Sequence, residues 1–189
     1  MPRSPMVTSM PSNASLDAMF ANMRDYRSLA SRSSTNVQAA DLGLELSNAR
    51  ATFKLLVSQV SMHLGIAWLH KLFSQIDSLL DLEEWDPRDP PPKAETARTF
   101  IRMLLVLKVA RKPGLGISNS GNLIAAWTAG PNRLTVECFP NDRVRWVLTR
   151  HQNSEVERAA GEGKIDRLKS FIAPYDPSVW FEYGEQLPA

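Results

Sequence analysis

Hydrophobic residues occupy every third or fourth position between residues 41 and 82. That spacing places them on one face of an α-helix. The series consists of Leu42, Leu46, Ala49, Phe53, Leu56, Val60, Leu64, Ala67, Leu69, Leu72, Phe73, Ile76, Leu79 and Leu80. Gly65 lies near its middle, so the pattern predicts one long helix or two helices with a break near Gly65. Prolines at 90–92 exclude further helix, because proline lacks the amide hydrogen and restricts the preceding residue.

A second apolar helix is predicted between residues 94 and 110. Glu95 falls in its first turn, where a negative charge complements the positive end of the helix dipole. Phe100, Leu104 and other hydrophobic residues cover most of its circumference, which is typical of a helix central to the core. Pro113 and Gly114 end this helix.

After Pro113 the hydrophobic pattern changes from helical spacing to alternation. Short alternating runs are separated by turn sequences at 119–122, 130–132 and 140–142, and such runs predict β-strands. Connections this short require antiparallel pairing, because a parallel crossover needs a dozen or more residues. The sequence therefore predicts an α+β fold: a helical N-terminal half, then a three- to four-stranded antiparallel meander at 115–149, packed on the helix at about 94–110.

The C-terminal part predicts two short helices and an aromatic tail. Ser154 and Glu157 have the spacing of a capping box, which indicates a helix start near Ser154 that glycines 161 and 163 would end after about two turns. A last short helix is expected at 164–172. The tail contains Tyr175, Trp180, Phe181 and Tyr183. We expect these aromatic side chains to dock on the sheet or on a partner.

Residues 1–40 are rich in Ser, Met, Asn and Pro and predict a flexible or partly helical extension to a single domain at 41–189. The extension contains one weakly amphipathic patch, made of Leu16, Met19, Phe20, Met23, Tyr26 and Leu29. We expect this patch to become helical only when it docks on another surface.

Composition indicates a globular protein, since 43% of the 189 residues are hydrophobic and 22% are charged. A net charge of +2 is too small to require a polyanionic partner. Cys138 is the only cysteine, which excludes an internal disulfide, so we expect a cytoplasmic location. The longest apolar stretch, 55–69, is interrupted by polar residues and is shorter than the roughly 20 residues of a membrane span, so no membrane association is expected.

The pattern of reactive residues predicts no catalytic, metal or cofactor site. His63 and His70 share a helix face, but seven residues of helical rise separate them by about 10 Å, too far to chelate one metal. The glycine-rich segment 114–121 lacks a Walker lysine and leads into a strand, so we interpret it as a hairpin turn and not as a phosphate loop. Cys138 falls on the inner face of its strand and is expected to be an inert packing group.

Two charged groups stand out. The acidic residues Asp77, Asp81, Glu83, Glu84, Asp86 and Asp89 form either a solvated edge or a docking surface for a basic partner. The basic residues Arg133, Arg143, Arg145 and Arg150 surround the last two predicted strands. Because alternate residues of a strand share a face, Arg143 and Arg145 point away from the core. They form an ordinary solvated face, a nucleic-acid or anion contact, or a docking site for an acidic partner.

Several features occur in a fixed order. Trp85-Asp86 precedes a proline loop and a helix opening at 95–100, and Ser120-Gly121-Asn122 precedes a strand ending in Trp127. In this order the segment 80–150 resembles a group of small uncharacterised bacterial proteins with a Trp-Asp-Pro-like loop, one apolar helix and an antiparallel meander. The resemblance implies an α+β fold and a bacterial or mobile-element origin, and it supplies no catalytic residues.

The leading hypothesis is a non-enzymatic protein-interaction module, such as an antitoxin, immunity or adaptor protein that binds and masks a partner. The partner would be a toxin-like chain or a second copy in a homodimer, because the helices offer more apolar surface than one small sheet can cover. The predicted contact residues are Leu56, Val60, Leu64, Trp68, Leu72, Trp85, Trp180 and Phe181. The alternatives are a nucleic-acid-binding regulator that uses Arg133, Arg143, Arg145 and Arg150 and, third, a metal-dependent or hydrolytic enzyme.

Overall fold

The computed structural model of the protein describes residues 40–64, 66–152 and 155–182. The amphipathic patch predicted between residues 16 and 29 lies outside these ranges, and so do Gly65, Ser154 and Tyr183. From Leu42 onward, the described residues group into one compact unit.

The segment 41–82 forms two helices, as the two-helix alternative predicted. Helix α1 is described over 40–59, a 3₁₀ turn follows at Ser61–His63, and helix α2 spans Ile66–Leu79. The helices run antiparallel, because residues further along α1 meet earlier residues of the α2 segment: the Arg50 side chain donates to the Leu80 carbonyl, and Lys54 forms an ion pair of 2.6 Å with Asp77. Their inward faces contribute Phe53, Val57, Leu72 and Ile76 to the core.

Helix α3 spans Ala94–Leu107 and lies at the centre of the core, as its apolar circumference predicted. It ends at Leu107, three residues before the predicted end, and the next residue, Lys108, has a left-handed backbone with φ 53°. Thr99 of α3 is buried and donates its hydroxyl hydrogen to the Phe139 carbonyl at 2.8 Å. The Thr99 hydroxyl oxygen also accepts the Asp142 amide hydrogen at 3.3 Å, so this one side chain ties α3 to the sheet.

The predicted antiparallel meander is confirmed, with five strands instead of three or four. The strands are β1 (Gly114–Ile117), β2 (Leu123–Ala129), β3 (Asn132–Phe139), β4 (Arg143–Gln152) and β5 (Glu155–Lys164). Each strand pairs antiparallel with the next one in the chain. Asn141 and Asp142 have φ of 61° and 57°, the left-handed pair that a tight β3–β4 hairpin needs.

The two faces of this sheet differ sharply in burial. On the inner face, the central strands β2 to β4 contribute the buried residues Leu123, Ala125, Trp127, Leu134, Val136, Cys138, Val144, Trp146 and Leu148. On the outer face, every described side chain of β2 to β5 is exposed or half-buried.

The helix predicted to start near Ser154 is wrong, since Glu155–Lys164 form strand β5. Glycine at 161 is required by packing and is not a helix stop: a Cβ there would lie 2.7 Å from Trp146 Cζ2. Gly163 is covered by Phe171 in the same way. Pairing with β4 over ten residues outweighs the local capping-box signal.

The rest of the C-terminal segment follows the prediction. Helix α4 spans Ile165–Ile172, a 3₁₀ turn covers Ala173–Tyr175, and the short helix α5 spans Ser178–Phe181. The aromatic tail docks on the inner face of the sheet, where the Phe181 ring meets Trp127 edge to face at 5.2 Å between centroids. The Phe181 carbonyl accepts the amide hydrogens of Ala110 and Arg111 at 3.0 and 2.7 Å, which fastens the tail beside the end of α3.

Candidate interaction surfaces

The groups that could do chemistry lie apart from each other. His63 is in the 3₁₀ turn after α1, His70 is in α2 and His151 is in β4, and all three are exposed. Within the described residues, no three His, Cys, Asp or Glu side chains gather into a metal-binding group. Cys138 is fully buried, and this burial raises the pKa of its thiol far above the ordinary value.

The glycine-rich segment 114–121 is a strand and a hairpin turn, as predicted. Gly121 has φ 72°, and a Cβ at this position would lie 2.7 Å from the Pro91 carbonyl oxygen. The Gly121 carbonyl accepts the Lys93 amide hydrogen at 3.0 Å. The turn therefore packs against the proline loop that precedes α3.

The acidic residues at 77–89 are spread over one helix and the loop that follows it. Asp77 is paired with Lys54, and the remaining acidic residues except Asp86 are exposed. The Asp86 carboxylate accepts hydrogen bonds from the Arg88 side chain and backbone, which lower the pKa of Asp86 to about 2. These contacts stabilise the local conformation of the loop. Within the described residues, the carboxylates of this series do not converge on one site.

The four arginines of the alternative hypothesis do not form one stripe. Arg133, Arg143 and Arg145 lie on the outer face, whereas Arg150 lies on the inner side of β4 with its side chain only 15% exposed, 3.8 Å from Asp176. Arg143 is ion-paired with Glu162. The Arg145 guanidinium lies 3.8 Å from Glu137 and 3.7 Å from Glu162. Carboxylates on the same face therefore offset much of the positive charge that a phosphate backbone would need.

The structure also divides the eight predicted contact residues into two groups. Leu72, Trp180 and Phe181 are buried in the core, which leaves them little surface to offer a partner. The half-buried group packs against the core and consists of Leu56, Val60, Leu64, Trp68 and Trp85. Two of these indoles are anchored within the chain: Trp68 Nε1 donates to the Ala110 carbonyl at 3.1 Å, and Trp85 Nε1 donates to the Asp89 carbonyl at 3.2 Å.

Large hydrophobic side chains that do reach solvent are concentrated in the helical hairpin. Leu44, Leu55, Met62 and Ile66 are 62%, 60%, 85% and 75% exposed. We call these four residues the hairpin patch. None of the four belongs to the hydrophobic series with helical spacing; Leu55, for example, directly precedes Leu56 of that series. Apolar residues off the main periodicity were thus the signal that could have identified this surface.

Comparisons of the chain with protein-family models, curated proteins and solved structures found no match. None of the described helices has the length and apolar character that crossing a membrane would require.

Proposed function

We propose that the protein is a non-enzymatic interaction module that binds another protein chain and masks it, in the manner of an antitoxin, immunity or adaptor protein. The hairpin patch supports this proposal. It accounts for four of the nine large hydrophobic side chains exposed in the described residues, within 23 consecutive positions from Leu44 to Ile66. Exposed apolar side chains gathered in one segment support a contact site, because large exposed apolar surface marks interaction sites.

Energetics favour a partner at this surface. Met62 and Ile66 are the two most exposed large hydrophobic residues described; Met62 lies in the 3₁₀ turn after α1, and Ile66 is the first residue of α2. Burying one such side chain contributes about 1.5–3 kcal/mol. A partner covering this turn would gain that energy without rearranging the buried faces of the two helices. With one cysteine, Cys138, the chain forms no internal disulfide and does not require an oxidising compartment, so we include a cytoplasmic site of action in the proposal.

The test begins with the tagged full-length chain purified from its own cells, followed by identification of the chain that co-purifies. That partner is then produced separately, and its binding is measured by calorimetry. We expect the double variant Met62→Asp/Ile66→Asp to weaken binding at least about tenfold, because it removes the two most exposed apolar side chains of the patch.

The matched control is Val147→Asp/Val106→Asp, which makes the same chemical change at two exposed positions outside the hairpin and β5, 52% and 38% accessible. This control should keep wild-type affinity for the partner. Equal binding by the wild type and the hairpin variant would reject the proposal, as would purification of the wild type with no other chain.

A further inference from the structure

The two edges of the sheet are protected differently. Strand β1 has four residues and packs beside α2. Strand β5 has ten residues and, among the described residues, pairs with β4 alone. Its register with β4 is unbroken from Glu155 to Lys164, with neither a bulge nor a proline. Proteins usually protect an exposed edge with such interruptions, because unpaired backbone groups recruit another strand.

The surrounding helices leave the β5 edge accessible. Helix α4 contacts α3 and β4 as well as β5, so it lies over the inner face and not beside the edge. Its Phe171 ring covers Gly163 from that inner side. The first four residues of β5 are exposed, and its centre, Ala159 to Gly161, carries no side chain long enough to shield the backbone.

We propose that β5 pairs antiparallel with β5 of a second copy of this chain, about a two-fold axis that passes through Ala160. The two sheets would then continue into one sheet of ten strands, five from each copy. This surface is separate from the hairpin patch, so either proposal can fail alone.

Charge complementarity selects this register. Paired residues in an antiparallel sheet share a face, and Arg158, Ala160 and Glu162 are all on the outer face of β5. An axis at Ala160 places Arg158 of each copy opposite Glu162 of the other, which makes two attractive pairs. An axis at Gly161 would place Arg158 opposite Lys164, and an axis at Arg158 would place that residue opposite itself. Like charges directly opposite are unfavourable.

The experiment uses charge reversal in the full chain, with mass measured by light scattering over a range of concentrations. The wild type should be dimeric at high concentration. Arg158→Glu places Glu opposite Glu at both pairs, and Glu162→Arg places Arg opposite Arg. The dimer dissociation constant of each variant alone should therefore rise by about tenfold or more. An equimolar mixture of the two variants restores Arg opposite Glu at both pairs and should form heterodimers.

Rescue by mixing separates the interface from folding, because a variant that merely misfolds is not restored by a second variant. The control is Arg133→Glu, the same charge reversal on the outer face of β3, which should dimerise as the wild type does. A wild type that stays monomeric at high concentration, variants that stay dimeric, or a mixture that stays monomeric would each overturn the proposal.

Discussion

The inner and outer faces of the sheet are built from the same strands, yet they have different physical roles. Trp146 and Val147 are neighbours in β4, and their exposed fractions are 5% and 52%. The inner face is packed against α3, α4 and α5, so its shape is fixed by contacts. The outer face carries charged side chains whose ion pairs are partly exposed to solvent. We therefore expect folding energy to depend on the inner face, while the outer face and the edge of β5 can vary or serve recognition.

The largest effect should come from Trp127→Ala on the inner face. Trp127 is 1% exposed, packs on Phe181, and donates its indole hydrogen to the Arg111 carbonyl at 2.8 Å. Its removal should lower the free energy of unfolding by about 3–5 kcal/mol, measured by urea denaturation. Thr128→Ala, at the exposed neighbouring position, should change it by less than about 0.5 kcal/mol. Similar losses in the two variants would contradict the division between the faces.

A smaller effect is expected from adding one methyl group to each face. The Cβ of Gly161→Ala would lie 2.7 Å from the Trp146 ring, so repacking should cost about 1–3 kcal/mol. Gly116→Ala points to the outer face, where its Cβ would meet Ile124 at an ordinary 3.9 Å. This second variant should be neutral or stabilised by up to about 1 kcal/mol. Thermal unfolding of the two variants provides the measurement. A Gly161→Ala protein as stable as the wild type would show that the Trp146 ring moves aside without cost.

The smallest effect should come from an ion pair on the outer face. Glu137→Gln removes the charge that faces Arg145 but keeps an oxygen to accept the Asn122 side-chain hydrogen, now at 3.0 Å. Stability should fall by less than about 1 kcal/mol, and the difference should shrink in high salt. Urea midpoints at low and high ionic strength provide the measurement. A loss as large as that of Gly161→Ala would mean that this face also bears folding energy.

Most of the fold could be predicted from hydrophobic periodicity, and β5 shows where that method stops. Its inner face is Ala159, Gly161 and Gly163, because Trp146 and Phe171 occupy the space above them. When neighbouring elements supply the large side chains, the strand itself shows no alternation of hydrophobic and polar residues. The local signal from Ser154 and Glu157 then dominated, although pairing with β4 decides the structure.

The candidate surfaces were harder to predict, because periodicity identifies an apolar face but not what covers it. Leu72 and Trp180 looked available for a partner, and the chain itself buries both. Strand alternation predicts Arg143 and Arg145 on the outer face, where the structure has them, but Glu137 and Glu162 come beside them only through strand pairing. Both the burial of Leu72 and Trp180 and the carboxylates beside the two arginines depend on residues distant in sequence, which the local pattern does not reveal.

The position of Phe181 has a consequence for how the molecule is made. Its ring covers Trp127 and its carbonyl binds the backbone at Ala110 and Arg111, so nearly the last described residues complete the core around the middle of the chain. During translation, the sheet emerges from the ribosome before these residues do. The side of the Trp127 ring that Phe181 covers therefore stays exposed to water until synthesis has passed Phe181.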